Sequence, residues 1–219
     1  ALSKPKVLPA IEADEVPFAV PEGWELRRLD DLGVIGSSRR VHKRDWQTSG
    51  IPFYRAREII RMARNGHVDG ELFITEDLFA SLSEKGWMPA SGDIMITGVG
   101  TIGVPYVVKP DDRFYFKDAS VLILKNLFRV EPSWLRLVFL SPYWLQYIHL
   151  ESMGTTVHTL TIKRAGVVPI PIPPLAEQHR IVAKVDALMA LCDDLEARLT
   201  AARTTRGAFA AAAVHHLDA

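Results

Sequence analysis

The run Pro169-Ile170-Pro171-Ile172-Pro173-Pro174-Leu175-Ala176-Glu177-Gln178-His179-Arg180-Ile181 leads into the most regular part of the chain. Beyond it, Ile181, Val185, Leu188, Cys192, Leu195 and Leu199 follow at intervals of 4, 3, 4, 3 and 4. That interval is the a/d seam of heptads, narrower than the stripe of a helix lying on a globular core. Such a seam calls for a partner helix, and the alternative is a terminal helix folded back on its own domain. The alanine-rich continuation through residues 201–213 favours helix. Phe209, Ala213 and Leu217 extend the apolar face after Arg206 and Gly207 interrupt it. A helix from about Glu177 to Leu217 is about 60 Å long at 1.5 Å per residue, too long for a small domain to cover. Upstream, prolines at 169, 171, 173 and 174 exclude a helix interior and predict a stiff extended connector.

Between Trp24 and Pro169 the signals are mixed. Residues 93–97 and 120–124 are short β-rich runs. Pro132 to about Leu150 has helical spacing, with Ser141-Pro142 placed to break or kink it. Strands and helices do not alternate regularly, so the fold class is α+β. Residues 1–22, with prolines at 5, 9, 17 and 21, read as a linker or tether. The expected organisation is therefore a tether over 1–22, a globular mixed domain over 23–174 and a long helix over 175–219.

Composition narrows the class without settling function. The chain has 219 residues, 48% of them hydrophobic, so it can bury a sizeable core. One cysteine, Cys192, permits no internal disulfide, and no apolar run is long enough to span a bilayer. No signal-peptide pattern opens the sequence, and a cytoplasmic location with no membrane role is the expectation.

The 26 basic residues are balanced by 26 acidic ones, which removes the simplest argument for a nucleic-acid binder. The balance hides segregation. Residues 24–66 carry ten basic and five acidic groups, and 67–123 carry four and nine. Arg39, Arg40, Lys43 and Arg44 fall within six residues, beside Ser37, Ser38 and His42, and Arg55, Arg57, Arg61 and Arg64 follow. Clustered guanidinium forks suit phosphate. The other reading is a solvated basic surface paired with the acidic block that follows.

Other motifs lead away from a self-contained active site. Gly98-Val99-Gly100-Thr101-Ile102-Gly103 fits the dinucleotide fingerprint, with Asp118 where a ribose-binding acid would stand. The fingerprint must open a helix, but Val104-Pro105-Tyr106-Val107-Val108 reads as strand, so a glycine turn between two strands is expected. Ser141-Pro142-Tyr143-Trp144 lacks the second proline and the acidic or amide first residue of the Pro-Pro-aromatic loop of amino-methyltransferases. The seven histidines show no metal-ligand spacing, and Cys192 sits on the seam without a neighbouring base.

The block from Ile170 through Pro173-Pro174-Leu175-Ala176-Glu177-Gln178 to Asp186, with Leu188-Met189 and Leu195-Glu196, resembles the conserved region of specificity (S) subunits of type I restriction-modification systems. Upstream, Pro21-Glu22-Gly23-Trp24 leading to Leu29, Ser49-Gly50-Ile51-Pro52-Phe53, Gly92-Asp93-Ile94 with Gly98 to Gly103, and Leu140-Ser141-Pro142 resemble that family's target recognition domain. Full-length members carry two recognition domains alternating with two long helices that pack antiparallel. This chain matches one domain and one helix, either a natural half-subunit or the C-terminal half of a longer one.

The resemblance implies sequence-specific recognition of double-stranded DNA without catalysis, each domain reading one half-site. Partners implied are methyltransferase (M) subunits and, through the complex, a restriction/translocase (R) subunit. S-adenosylmethionine and ATP are expected only in those partners, and no cofactor or metal in this chain. The helix is expected to form an antiparallel coiled coil, most simply in a homodimer, through Ile181, Val185, Leu188, Cys192, Leu195 and Leu199. Candidate DNA contacts are Arg39, Arg40, Lys43 and Arg44, then Arg55 and Arg57 as alternating positions on one strand face. A second loop, with Thr155, Thr156 and His158 followed by Lys163, completes the set. The competing functions are a coiled-coil protein-interaction adaptor with no direct DNA role, and a stand-alone enzyme resting on the two failed motifs.

Overall fold

A computed structural model describes residues 10–12, 15–84, 87–150 and 159–217. In chain order the strands are β1 (Glu25–Arg28), β2 (Val34–Ser37), β3 (Ile51–Tyr54), β4 (Phe73–Ile74), β5 (Ile94–Thr97), β6 (Pro105–Val107), β7 (Tyr115–Phe116), β8 (Val121–Lys125) and β9 (Pro169–Ile172). The helices are α1 (Leu29–Leu32), α2 (Ala56–Asn65), α3 (Glu76–Ser83), α4 (Pro132–Leu140), α5 (Pro142–Leu150), α6 (Ile162–Gly166) and α7 (Leu175–Leu217). Residues up to Gln178 form one unit and 179–219 a second. The α+β class and the long C-terminal helix expected from sequence are both present.

In the first unit a four-stranded sheet in the order β2-β8-β5-β6 carries the most apolar sequence. Ile94, Met95 and Ile96 on β5, and Val121, Leu122, Ile123 and Leu124 on β8, are all buried. A strand buried on both faces reads as a continuous apolar run rather than an alternating one, which is why both runs are visible in the sequence. A three-stranded sheet, β4-β3-β7, pairs β3 with β7 in parallel and with β4 antiparallel. One core cluster joins Ile59 and Met62 of α2 to Met95, Tyr106, Phe116 and Ile123. Another gathers Val41, Ile51, Phe53, Ile74, Leu82 and Tyr115.

The helical stretch from Pro132 divides at Ser141, as its sequence suggests. Ser141 donates its backbone N–H to Val138 O (3.1 Å), closing α4, and its Oγ accepts from Trp144 N (3.3 Å), opening α5 behind Pro142. Trp144 is fully buried 4.5 Å from the Phe139 ring and donates from Nε1 to Gly103 O (3.2 Å). The Ser-Pro-Tyr-Trp run is thus a helix junction and a core anchor.

Two stretches differ from the sequence reading. Pro169–Ile172 is not a connector but strand β9, paired antiparallel with β1 in the register Glu25↔Ile172, Leu26↔Pro171, Arg27↔Ile170 and Arg28↔Pro169. In such a pair only every second residue exchanges hydrogen bonds with its opposite. Pro169 and Pro171 share one parity, so Ile170 and Ile172 are left to donate, and alternating proline is compatible with a two-stranded ladder. The described part of the expected tether also makes tertiary contacts. Arg28, 4% exposed, donates to Glu15 Oε1 and Oε2 (2.8 and 2.6 Å), Val167 O (2.7 Å) and Ala10 O (2.9 Å). The Phe18 ring meets Tyr143 edge-on at 5.1 Å.

The Pro-Pro-Leu-Ala-Glu-Gln block acquires a physical reason at the start of α7. Gln178, 4% exposed, accepts from Glu131 N at Oε1 (3.0 Å) and donates from Nε2 to Pro173 O (2.8 Å). Glu177 accepts from Trp24 Nε1 (3.3 Å), and Trp24 lies edge-on to Trp134 at 5.4 Å. The first turn of α7, which belongs to the first unit, is therefore bonded to Trp24, Glu131 and Pro173 within it. Replacing Gln178 by Ala strands a buried donor and a buried acceptor, for which about 1–3 kcal/mol of lost stability is expected. Urea unfolding of the Q178A chain measures it, and an unshifted midpoint would contradict the role assigned to Gln178.

Candidate nucleic-acid interface

The loop between β2 and β3 carries the densest positive charge. Its backbone is fixed from within: Val41 is buried, and the Tyr115 hydroxyl accepts from Arg39 N (2.9 Å) and donates to Arg39 O (3.4 Å). Burial pushes the Tyr115 phenol above its ordinary range, so the hydroxyl stays protonated and able to donate. Lys43–Asp45 forms a turn of 3-10 helix, with Asp45 Oδ2 accepting from His42 N (3.2 Å). The backbone is thus held while Arg39, Arg40, Lys43 and Arg44 are exposed. Arg40 pairs with Asp118 (3.2 Å) and Arg44 with Asp45 (3.7 Å), their side chains 71% and 82% exposed. Ion pairs this exposed are worth less than about 1 kcal/mol and yield readily to a competing anion.

Arg55 and Arg57 do not share a strand face. The strand ends at Tyr54, Arg55 is the extended residue before α2, and Arg57 lies in its first turn. The cause is Glu58: its Oε2 accepts from Arg55 N (2.9 Å), satisfying an N–H at the helix start. Along α2, Ala56, Ile59 and Met62 turn inward, leaving Arg57, Arg61 and Arg64 at i, i+4 and i+7 on the outward face. Gly66, at φ +77°, closes the helix with its N–H on Met62 O (2.9 Å) in a left-handed conformation that suits glycine.

Glu58 is 1% exposed and takes hydrogen bonds from Arg55 Nε (3.0 Å), Arg55 Nη2 (2.8 Å) and Arg57 Nε (2.6 Å). Burial pushes its carboxyl up, but these bonds outweigh burial and hold it below the usual carboxylate range. Glu71 takes the outer side of the Arg55 and Arg57 guanidiniums and also pairs with Arg61. The backbone of Gln47 exchanges hydrogen bonds with Phe73 (2.9 and 3.1 Å), tying the end of the basic loop to the strand just after Glu71.

The remaining candidates separate. Thr155, Thr156 and His158 lie outside the described residues. Lys163 is exposed on α6, whereas Arg164 beside it turns inward to Thr159 O (2.7 Å) and Ile148 O (2.5 Å). Gly98–Gly103 is the turn between β5 and β6, with Gly103 N on Thr97 O (2.7 Å), and no helix follows it. Among the described residues no group of three or more His, Cys, Asp or Glu is placed to hold a metal ion, and no helix is long and apolar enough to cross a membrane. In the second unit Leu188, Leu195 and Leu199 are 49–59% exposed and Cys192 is exposed, while Ile181 and Val185 are half-buried.

Sequence reasoning names the cations but not the groups that hold them. Asp118 and Glu71 come from the acidic block after the basic one, so pairing between the two blocks does occur, at the margins of the exposed surface. Tyr115 and Glu58 carry no sequence signal beyond a glutamate three residues after Arg55.

The family model described as type I restriction modification DNA specificity domain matches residues 21–202. The chain is 28% identical to a putative type I restriction enzyme specificity subunit of Haemophilus influenzae, over 76% of this chain and 40% of that protein. It is 28% identical to the EcoAI specificity subunit of Escherichia coli, over 89% of this chain and 33% of the relative. It thus spans well under half the length of these curated relatives. Among solved structures it resembles the HsdS subunit of Thermoanaerobacter tengcongensis (TM-score 0.56, 22% identity, 82% of this chain and 41% of that one). A chain from a study of complex assembly and conformational transition in the type I R-M system also matches (TM-score 0.59, 22% identity, 84% and 43%). At that identity the likeness concerns the fold.

The buried carboxylate yields a pH test. Glu58 is held below its unfolded value of about 4.3, so its contribution is full above that value and is lost as pH falls through the lower folded one. Glu58→Gln should cost about 2 kcal/mol at neutral pH, and the gap to the unsubstituted chain should close in acid. Unfolding free energies across pH measure this, and a gap that stays constant would contradict it.

Proposed function

The chain belongs to the type I restriction modification DNA specificity family, and from that premise we propose that it is a sequence-recognition subunit for double-stranded DNA. The family match over residues 21–202 carries the reading, and the two basic clusters give it a physical means. A loop with a pinned backbone and exposed guanidinium and ammonium heads, together with a helix that carries arginines on one face, supplies phosphate contact and groove-reading forks on a preorganised frame. The domain reads one half-site and performs no chemistry of its own. Methyl transfer with S-adenosylmethionine belongs to methyltransferase subunits, and ATP-driven translocation and cleavage to a restriction subunit, each positioned through this chain.

The seam on α7 supports pairing. Leucines at heptad spacing that are half exposed form a stripe which water solvates poorly, and a second copy supplies the same stripe in reverse. A twofold homodimer presents two identical reading domains, with the helix pair as spacer, and so suits an inverted-repeat target.

Two measurements test this. Changing Arg39, Arg40, Lys43 and Arg44 together to Ala should weaken duplex binding at least about tenfold at low salt and flatten the salt slope by about 0.9 for each phosphate that is no longer neutralised. Unchanged affinity and slope would favour an adaptor that uses only the helix. Leu188→Asp with Leu195→Asp should give a monomer in sedimentation, and a persistent dimer would place the interface elsewhere.

A further inference from the structure

Three guanidinium groups converge on one surface carboxylate. Arg55 Nη2 lies 3.3 Å and Arg61 Nη1 3.5 Å from oxygens of Glu71, and Arg57 Nη2 is in direct contact with it. The side chains of Arg57, Arg61 and Glu71 are each about half exposed, at 48%, 52% and 50%. Among the described ion pairs, these three guanidiniums meet two carboxylates, buried Glu58 and Glu71. The positive end of the ten-residue helix α2 adds to the excess.

The two carboxylates have different standing. Glu58 is enclosed and bonded to the helix start, so it stays. Glu71 stands on the irregular stretch between the left-handed turn at Gly66 and β4, and its side-chain bonds run to arginine heads. A phosphodiester offers guanidinium the same single charge and the same pair of acceptor oxygens as a carboxylate. Exposed carboxylate–guanidinium pairs are weak and salt-screened, so a polyanion can take their place.

We propose that Arg55, Arg57 and Arg61 form a binding site for a DNA backbone phosphate that Glu71 fills in the free protein and vacates when DNA docks. The inference rests on the DNA-recognition reading and adds a gate to it. An internal anion lowers the site's affinity for any passing polyanion, so the site engages only when neighbouring contacts bring a phosphate into register. That raises discrimination at a cost in affinity.

The test is a binding cycle on the full chain, with a random-sequence duplex and inorganic phosphate as probes, each variant first checked for an unchanged melting curve. Glu71→Gln should bind the duplex about fivefold tighter at low salt. Glu76→Gln makes the same charge change at an exposed pair with Arg113 and should have much less effect. Most of the Glu71→Gln gain should be lost when Arg57 and Arg61 are both Ala, with Arg55 the one site arginine retained. It should shrink with Arg61→Ala alone, which spares the contacts to Glu58 and so guards against misfolding. Equal gains from the two glutamines, or a gain undiminished by removal of Arg57 and Arg61, would overturn the gate. A site that takes inorganic phosphate in Glu71→Gln while duplex affinity does not change would overturn the assignment to DNA. If neither the variants nor the unsubstituted chain bind duplex, the recognition reading itself falls, and the gate with it. Duplex binding without a Glu71 effect removes the gate alone.

Discussion

The pairing of β1 with β9 joins residues 25–28 to 169–172 and closes nearly the whole first unit into one loop. Closing so long a loop costs chain entropy that grows only slowly with length, and the closure is secured by local bonds of more than ordinary strength. Arg28, buried at the end of β1, is satisfied by a carboxylate and two carbonyls. The hydrogen bond to Glu15 outweighs burial, which favours the neutral form, and keeps the Arg28 guanidinium charged, while the same bond holds Glu15 below the usual carboxylate range. Trp134 Nε1 donates to Pro171 O (3.0 Å) and Tyr143 to Pro169 O (2.8 Å), so β9 is held from α4 and α5 as well as from β1. The first turn of α7 follows directly, with Gln178 bonded back to Pro173 and Glu131. A strand written in alternating prolines thus ends the domain and begins the helix.

What is legible in the sequence is what one-dimensional periodicity encodes. The heptad interval marks α7, apolar runs mark β5 and β8, Ser141-Pro142 marks the α4–α5 junction, and the strand-like Val104–Val108 correctly demotes the glycine fingerprint to a turn. Proline chemistry misleads at Pro169–Ile172 because its meaning depends on which residues face a partner strand, a fact of pairing and not of the segment itself. Arg55 and Arg57 are misplaced by sequence for a similar reason. Strand β3 runs straight up to them, and the bond from Arg55 N to Glu58 turns the chain into a helix there.

The charge arithmetic acquires a spatial meaning. A total of zero conceals basic residues on a loop and a helix face and acidic residues that reach them from between β7 and β8 and from the stretch before β4. Some acids are structural, as Glu58 and Glu15 are, and stabilise the fold through their bonds to partly or fully buried arginines. Others, Asp118 and Glu71, lie at the solvent edge of the basic surface. Under the proposed function such a chain binds polyanions through the geometry of these basic surfaces rather than through net charge, so its affinity depends on ionic strength although the total charge is zero.

Under the proposed function, one domain and one pairing helix recognise DNA as a twofold assembly. Selection of bound duplexes from a random pool, with and without methyltransferase subunits, tests it most directly. A twofold reader should enrich one short half-site in two inverted copies at a fixed separation. A pool that emerges unenriched, or converges on a single undivided site, would contradict it.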